Sequence, residues 1–251
     1  VRMASVWSPR PRSIPIKPVP TPTAVDVESH ERMDAAPLFT QDIYSYLANG
    51  SIVAQGMDPY SAGPVQLLGA GNKLARSVPF IWANSPSPYG PVALGLAAVV
   101  SAVTSNSILL GVITHRLLSI AGIIVAGWAI SCLAQRCRVS PESALWLGIL
   151  NPLTILHLVG GIHNESIMLG LLLVGMELGL RGVDKLDASR RSAYLALVAS
   201  GFCLSCAGMV KVTGFIGLGF VGMAYARRLI NAHGTARSVS YTHLRAHETL
   251  R

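Results

Sequence analysis

The sequence predicts an all-α integral membrane protein: a multi-span helical bundle with a structured loop at one membrane face. Three observations predict it. Hydrophobic residues make up 51% of the 251-residue chain and charged residues only 13%, against about 25% charged in a soluble domain. The apolar residues come in runs of helix length, where half-buried strands would alternate. The basic residues collect in the N-terminal arm and in short loops between those runs, the distribution that flanks membrane spans. In lipid every backbone N–H and C=O needs a partner inside its own segment, and helices supply one.

A net charge of +8 raises nucleic acid as a partner. That class is excluded, because no basic helix or aromatic-interleaved patch is present to carry it. The implied partner is the lipid bilayer. Of the four cysteines, Cys203 and Cys206 lie one turn apart inside an apolar run. A redox or metal pair needs an accessible thiolate, so these read as small packing residues, and no disulfide framework is implied.

Residues 1–36 form a Pro-rich basic arm with Pro9, Pro11, Pro15, Pro18, Pro20 and Pro22 beside Arg2, Arg10, Arg12 and Lys17. Proline fixes φ and removes donors, so this arm is expected to be disordered and cannot span. Residues 37–90 read as a face loop with short helices: Gln41 to Ala54 suits an amphipathic helix, and Asp58-Pro59-Tyr60 and Ser85 to Pro91 are turn-rich. Residues 91–230 are the membrane bundle. A helix at about 92–104 is too short to span with ease; spans follow at about 107–133, 143–159, 164–180, 192–209 and 212–226. If the short helix does not cross, Arg136/Arg138, the Arg181 to Arg191 loop and Arg227/Arg228 all fall on the cytoplasmic side. The 37–90 loop, His163-Asn164-Glu165 and Lys211 then share the outer face.

Several polar groups in this layout carry chemistry. Asp42 reads either as a general base at the membrane surface or as a first-turn acid favoured by the helix dipole. His163-Asn164-Glu165 reads either as a holder of sugar hydroxyls, a phosphate or a divalent cation, or as an interfacial cap. Arg116 lies inside an apolar run, where a cation is costly and faces a partner such as a phosphate, or else snorkels. Lys211 reads as a lipid-phosphate ligand or an interfacial anchor. Gly217-Leu218-Gly219-Phe220-Val221-Gly222 matches a dinucleotide fingerprint only in spacing. Inside a span such glycines let helices approach closely. No cofactor follows; a divalent cation is the one candidate, and no metal ligand set is identified.

The run Leu38-Phe39-Thr40-Gln41-Asp42-Ile43-Tyr44-Ser45-Tyr46, then Gly56-Met57-Asp58-Pro59-Tyr60 and Ser87-Pro88-Tyr89-Gly90-Pro91, resembles the first outer loop of actinobacterial α-1,6-mannosyltransferases that use polyprenol-phosphate-mannose. Asn151-Pro152-Leu153 followed by His157-Leu158-Val159-Gly160-Gly161-Ile162-His163-Asn164-Glu165 resembles the same family's most distinctive segment. The likeness runs from about residue 37 to 230. It implies the multi-span GT-C glycosyltransferase architecture. It implies inverting transfer of mannose from the lipid phosphate to a lipomannan-type mannan acceptor, outside the cytoplasmic membrane. In such enzymes an acid of the first outer loop is the expected base, and Asp42 matches it. Tyr44, Asp58, Tyr60, Tyr89, His163, Asn164 and Glu165 are then expected to bind substrate, and Arg116 and Lys211 the lipid phosphate.

The chain departs from this pattern at both ends. The family has a span just before the acidic loop, and residues 1–36 cannot be one; their basic arm would have to cross the membrane. Spans expected after residue 230 are missing, and residues 237–251 resemble translated sequencing adapter. The expectation is a piece of a longer protein. Two other classes compete with a transferase. A transporter or flippase would show repeated halves and helices interrupted at mid-membrane, and a non-catalytic membrane subunit would survive loss of Asp42.

Overall fold

The structure, a computed structural model, describes residues 37, 38 and 40–231. The expectations for the arm at 1–36 and the tail at 237–251 lie outside the described residues. Everything described is helix, turn or loop, as an all-α membrane protein requires.

Helix α1 (Asp42–Ala54) starts where Thr40 Oγ1 accepts the Asp42 N–H at 3.2 Å and stops before Gly56, whose φ of +75° suits glycine. It is not the expected amphipathic surface helix. Every residue from Ser45 to Ile52 is buried, packed against α5 (Pro91–Val103) and the start of α6 (Ile108–Arg136). Gly50 permits the α1–α5 approach, since a Cβ there would sit 2.3 Å from the Ala97 carbonyl oxygen. Three short helices, α2 (Pro64–Leu68), α3 (Lys73–Ser77) and α4 (Phe80–Ala83), fill the rest of the loop, and Leu74, Val78 and Ala83 join Ile43, Tyr46 and Leu47 in one core cluster.

Among the described residues, three helices are long and apolar enough to cross a membrane: α6, α9 (Glu165–Asp184) and α10 (Arg190–Val210). At 1.5 Å per residue α6 is roughly 43 Å long, beyond the ~30 Å hydrocarbon core. α5 has 13 residues and is too short to join them, as its length predicts. The expected single span at 143–159 is instead two segments, Pro141–Ile149 and Pro152–Gly160, bent by 47°. The bend has a local cause. Pro152 cannot donate into a continuous helix, and Asn151 caps the second segment by accepting the Leu153 N–H at 2.9 Å. These segments open as α7 (Pro141–Ala144) and α8 (Pro152–Thr154), and both continue with π-helical winding. After α10 the backbone is extended at Lys211, turns through a 3₁₀ segment at Val212–Phe215, and is helical again over residues 216–231. That last helix therefore begins one turn later than the sequence suggests.

Side-chain contacts fix the directions. Gly122 of α6 faces Ser166 and Gly170 of α9, and further along Arg136 of α6 reaches Glu177 and Asp184 of α9. These two helices therefore run parallel. α10 returns antiparallel, with Leu204 against Gly175 and Ser200 against Gly179. Arg136, Arg181 and the Arg228–Asp187 pair thus lie at one end of the bundle. The α1 loop, His163, Glu165 and Lys211 lie at the other. Of the fingerprint-like glycines, Gly217 packs on Leu204 and Leu172, while Gly219 and Gly222 face open space.

Candidate functional site

The site is built where three backbone ends converge. The first is the entry to α1, which puts Asp42 on the first turn. The second is the turn between the π-helical Ile155–Gly160 segment and α9, which carries His163 and Asn164 and opens α9 at Glu165. It is held to the α1 entry by the Leu38 N–H donating to the Gly160 carbonyl at 2.9 Å. Gly161 is required here, because a Cβ would meet the His157 carbonyl oxygen at 2.5 Å and Thr40 at 3.0 Å. The third is the end of α10 at Lys211. Gly90 donates to the Val210 carbonyl at 3.3 Å, and so ties the Tyr89 turn to that end.

One imidazole edge joins the two carboxylates. His163 Nδ1 is 3.8 Å from Asp42 Oδ2 and 3.8 Å from Glu165 Oε2. The His163 ring stacks on His157, with centroids 4.2 Å apart. Burial, and after it the neighbouring His157, lowers the His163 pKa below the ordinary imidazole value. The lowered value favours the neutral imidazole at pH 7, which stands between two acids at distances too long for a hydrogen bond to either. Glu165 ion-pairs with Lys211, so Lys211 is engaged by a carboxylate at the site. Behind the acids, the buried Tyr46 phenol meets the Asn164 backbone, and its ring packs edge-on to Tyr89 at 4.9 Å. Burial first, then Tyr89 and the two carboxylates, hold the Tyr46 phenol far above its ordinary value and so protonated.

The structure thus brings together Asp42, Tyr89, His163, Asn164, Glu165 and Lys211. It gives other work to two of the expected ligands. Asp58 Oδ1 accepts the Tyr60 N–H at 2.9 Å in an Asx turn, and the Tyr60 hydroxyl donates to the Tyr89 carbonyl at 2.8 Å. Both scaffold the loop that presents Tyr89. Tyr44 packs on the edge of the α1 core. Arg116 is half-buried on α6, beside His115, whose ring is 6.2 Å from Tyr46. The Asn164 side chain caps nothing, although Asn164 sits at the N-cap of α9. Among the described residues, no group of three or more His, Cys, Asp or Glu side chains is arranged to hold a metal ion.

Sequence reading misses Tyr46 and His157. Both stand inside the quoted motifs, and His157 and His163 are six positions apart. It also misses the distant cluster of Arg136, Glu177 and Arg181. Glu177 is an acid inside an apolar run, a signal that by itself marks a partnered group.

An all-helical membrane bundle with a carboxylate–imidazole cluster at one end of its spans is the class that fold and site define. The chain belongs to the alpha-(1->6)-mannopyranosyltransferase family, whose N-terminal-domain model matches residues 32–227. It is 65% identical over 196 residues to alpha-(1->6)-mannopyranosyltransferase B of Corynebacterium glutamicum, covering 78% of this chain and 33% of that protein. It is 48% identical over 158 residues to an alpha-(1->6)-mannopyranosyltransferase of Mycobacterium tuberculosis, covering 63% and 27%. The chain thus spans about a third of the length of the curated relatives it matches. No solved structure matches it.

Proposed function

We propose that this chain is the donor-and-base portion of a glycosyltransferase of GT-C architecture. The reaction moves mannose from polyprenol-phosphate-mannose to an α-1,6-mannan acceptor of lipomannan type, at the outer face of the cytoplasmic membrane. The observation that carries the reading is the family match over residues 32–227, which includes Asp42 on the first turn of α1 beside His163.

In this mechanism the Asp42 carboxylate takes the proton of the acceptor's primary hydroxyl. The freed oxygen attacks the anomeric carbon, whose bond to the phosphate oxygen breaks with inversion. Polyprenol phosphate leaves with the bonding electron pair. Phosphate is a good leaving group, so the protein's work is mainly positioning and charge stabilisation. Lys211, at the end of α10, and Arg116 of α6 are the cations assigned to the lipid phosphate. Lys211 trades part of its pairing with Glu165 for the phosphate when the donor binds. Tyr44, Tyr89, His163, Asn164 and Glu165 hold sugar hydroxyls, while Asp58 and Tyr60 keep the Tyr89 loop in place.

The test is mannose transfer in membranes that carry the full-length protein, with and without Asp42→Asn. Loss of transfer on substitution supports the reading; transfer at the parent rate moves the base elsewhere. Orientation has a native probe. Cys137 is exposed at the basic end of α6, and as the only retained cysteine it is shielded from an impermeant thiol reagent in intact cells if the site faces outward. Labelling there reverses the orientation.

A further inference from the structure

Asp42, Ser45 and Asn49 fall at i, i+3 and i+7 of α1, along one helix face. Past the Asp42 end this face borders a small cleft of about 10 Å³, room for one water-sized group such as a single hydroxyl, lined by Ser45, Asn49, Trp82, Ser85, Ser87, Tyr89 and two prolines. The cleft holds two unsatisfied polar atoms. Ser45 and Asn49 are each only 3% exposed. Among the described residues, neither Ser45 Oγ nor Asn49 Oδ1 has a hydrogen-bond partner. A buried polar atom left in that state keeps its full desolvation cost, so it marks a place where a ligand group is expected.

The chemistry of the two atoms narrows the ligand. The Asn49 amide N–H₂ already donates to the Ser45 carbonyl at 2.8 Å. What remains is an amide oxygen, which only accepts, and a serine hydroxyl. No cation lines the cleft. The pair therefore suits a neutral hydroxyl donor and gives a phosphate nothing to bind. The rim supplies what a sugar ring uses beside its hydroxyls: the half-exposed Trp82 ring, the Tyr89 side chain and the Ser85 and Ser87 hydroxyls. The rim is also fixed in place. Ser87 N–H donates to the Pro59 carbonyl at 2.9 Å, and Tyr60 anchors the Tyr89 backbone.

We infer that the cleft between α1 and the Trp82–Tyr89 segment is a neutral carbohydrate subsite. One sugar hydroxyl enters to donate to Asn49 Oδ1 and pair with Ser45 Oγ, while its ring lies on Trp82. This rests on the mannosyltransferase reading and extends it, because it places a part of the acceptor that no catalytic group touches. Asn49 lies seven positions beyond Asp42 on α1, about 10 Å along the axis. That distance matches a sugar unit further along the acceptor chain than the reacting one. The cleft then sets how long an acceptor must be to bind well.

The experiment uses the full-length protein in detergent, with α-1,6-linked mannobiose and mannotriose as probes. Two readouts are taken: the acceptor and donor KM of transfer, and saturation-transfer NMR of the oligosaccharides without donor. Asn49→Ala and Trp82→Leu are compared with the parent at equal membrane levels. The expected result is an acceptor KM for mannotriose raised about tenfold, the worth of one lost hydrogen bond or stacking contact. Mannotriose signals weaken in parallel, and the donor KM shifts less than twofold. Unchanged acceptor KM and NMR signal in both variants, with lowered thermal stability, assigns the cleft to a structural water and overturns the inference. If the parent protein transfers no mannose, the transferase reading fails. The donor-free NMR arm still decides the subsite, since mannotriose binding lost in both variants sustains it and undiminished binding removes it.

Discussion

The two ends of the parallel α6–α9 pair carry charge in opposite ways. At the basic end Glu177 is only 2% exposed and fully committed: Arg136 Nε donates to it at 2.6 Å and Arg181 Nε at 2.5 Å. Arg136 also reaches Asp184, and Arg181 lies over the Trp128 ring. At the other end Asp42 and Glu165 each stand 3.8 Å from one neutral imidazole, with more exposed carboxylates. The basic end is a closed ionic clamp that fixes two helices. The site end keeps an acid whose lone pairs are not used up by the protein. Glu177 lies 12 positions beyond Glu165 on α9, about 18 Å along the axis, so the clamp and the candidate site are separate clusters on the same helix pair.

The comparison breaks most sharply at Asp42. Asp42→Asn is expected to reduce mannose transfer by about 10²- to 10⁴-fold, the range for loss of a general base, with unchanged protein level in the membrane; the labelled-mannose assay reads it. Next in size is the clamp. Glu177→Ala leaves two guanidinium groups facing an emptied buried site, and thermal unfolding in detergent should show a loss of about 3–5 kcal/mol. Transfer by the surviving folded fraction should persist. A Glu177→Ala protein as stable as its parent would mean that the clamp is an ordinary surface pair.

The helix contact between the two ends gives a smaller effect. At Gly122 a Cβ would sit 2.6 Å from the Ser166 carbonyl oxygen. Gly122→Val is therefore expected to cost about 1–3 kcal/mol by forcing α6 and α9 apart. Because Ser166 adjoins Glu165, it should also lower transfer more than Glu177→Ala does per folded molecule. Equal specific activity in the two variants would dissolve the distinction between a structural end and a functional end.

The smallest effect concerns pH. His163 has a folded pKa below its unfolded value of about 6.5, through burial first and His157 second. Its contribution to stability is complete above that unfolded value and is lost as the pH falls through the lower folded one. Unfolding midpoints of the parent should therefore drop more steeply as the pH falls below about 6.5 than those of His163→Gln. Parallel curves would mean that His163 is solvated like any surface imidazole.

Much of the fold is legible in the sequence. Runs of apolar residues mark α6, α9 and α10 because a span must hide its backbone polar groups within itself. The breaks at Lys211 and at the Arg181 to Arg191 loop are legible for the same reason. The burial of α1 is not. Gln41 to Ala54 contains enough Ser, Asn and Gly to look half-exposed, and only packing against α5 shows that Gly50 and Ala97 touch. The size of the bend at Pro152 is hidden too: Asn151-Pro152 signals a break, but only the packed helices fix it at 47°.

The site divides along the same line. The sequence by itself determined that the protein is a helical membrane protein, that its charge is sorted to helix ends, and that Asp42 and His163-Asn164-Glu165 are the polar groups worth testing. Composition and motif spacing depend on chain order, and these properties are all written in chain order. Only the tertiary structure decided that one His163 nitrogen stands equally far from Asp42 and Glu165, that Lys211 pairs with Glu165, and that Glu177 is clamped by two arginines. It also decided that Ser45 and Asn49 leave a hydroxyl and an amide oxygen unsatisfied near Trp82. Each of these joins residues tens of positions apart or depends on which hydrogen bonds are already taken, and distances and hydrogen-bond accounts exist only once the helices are packed.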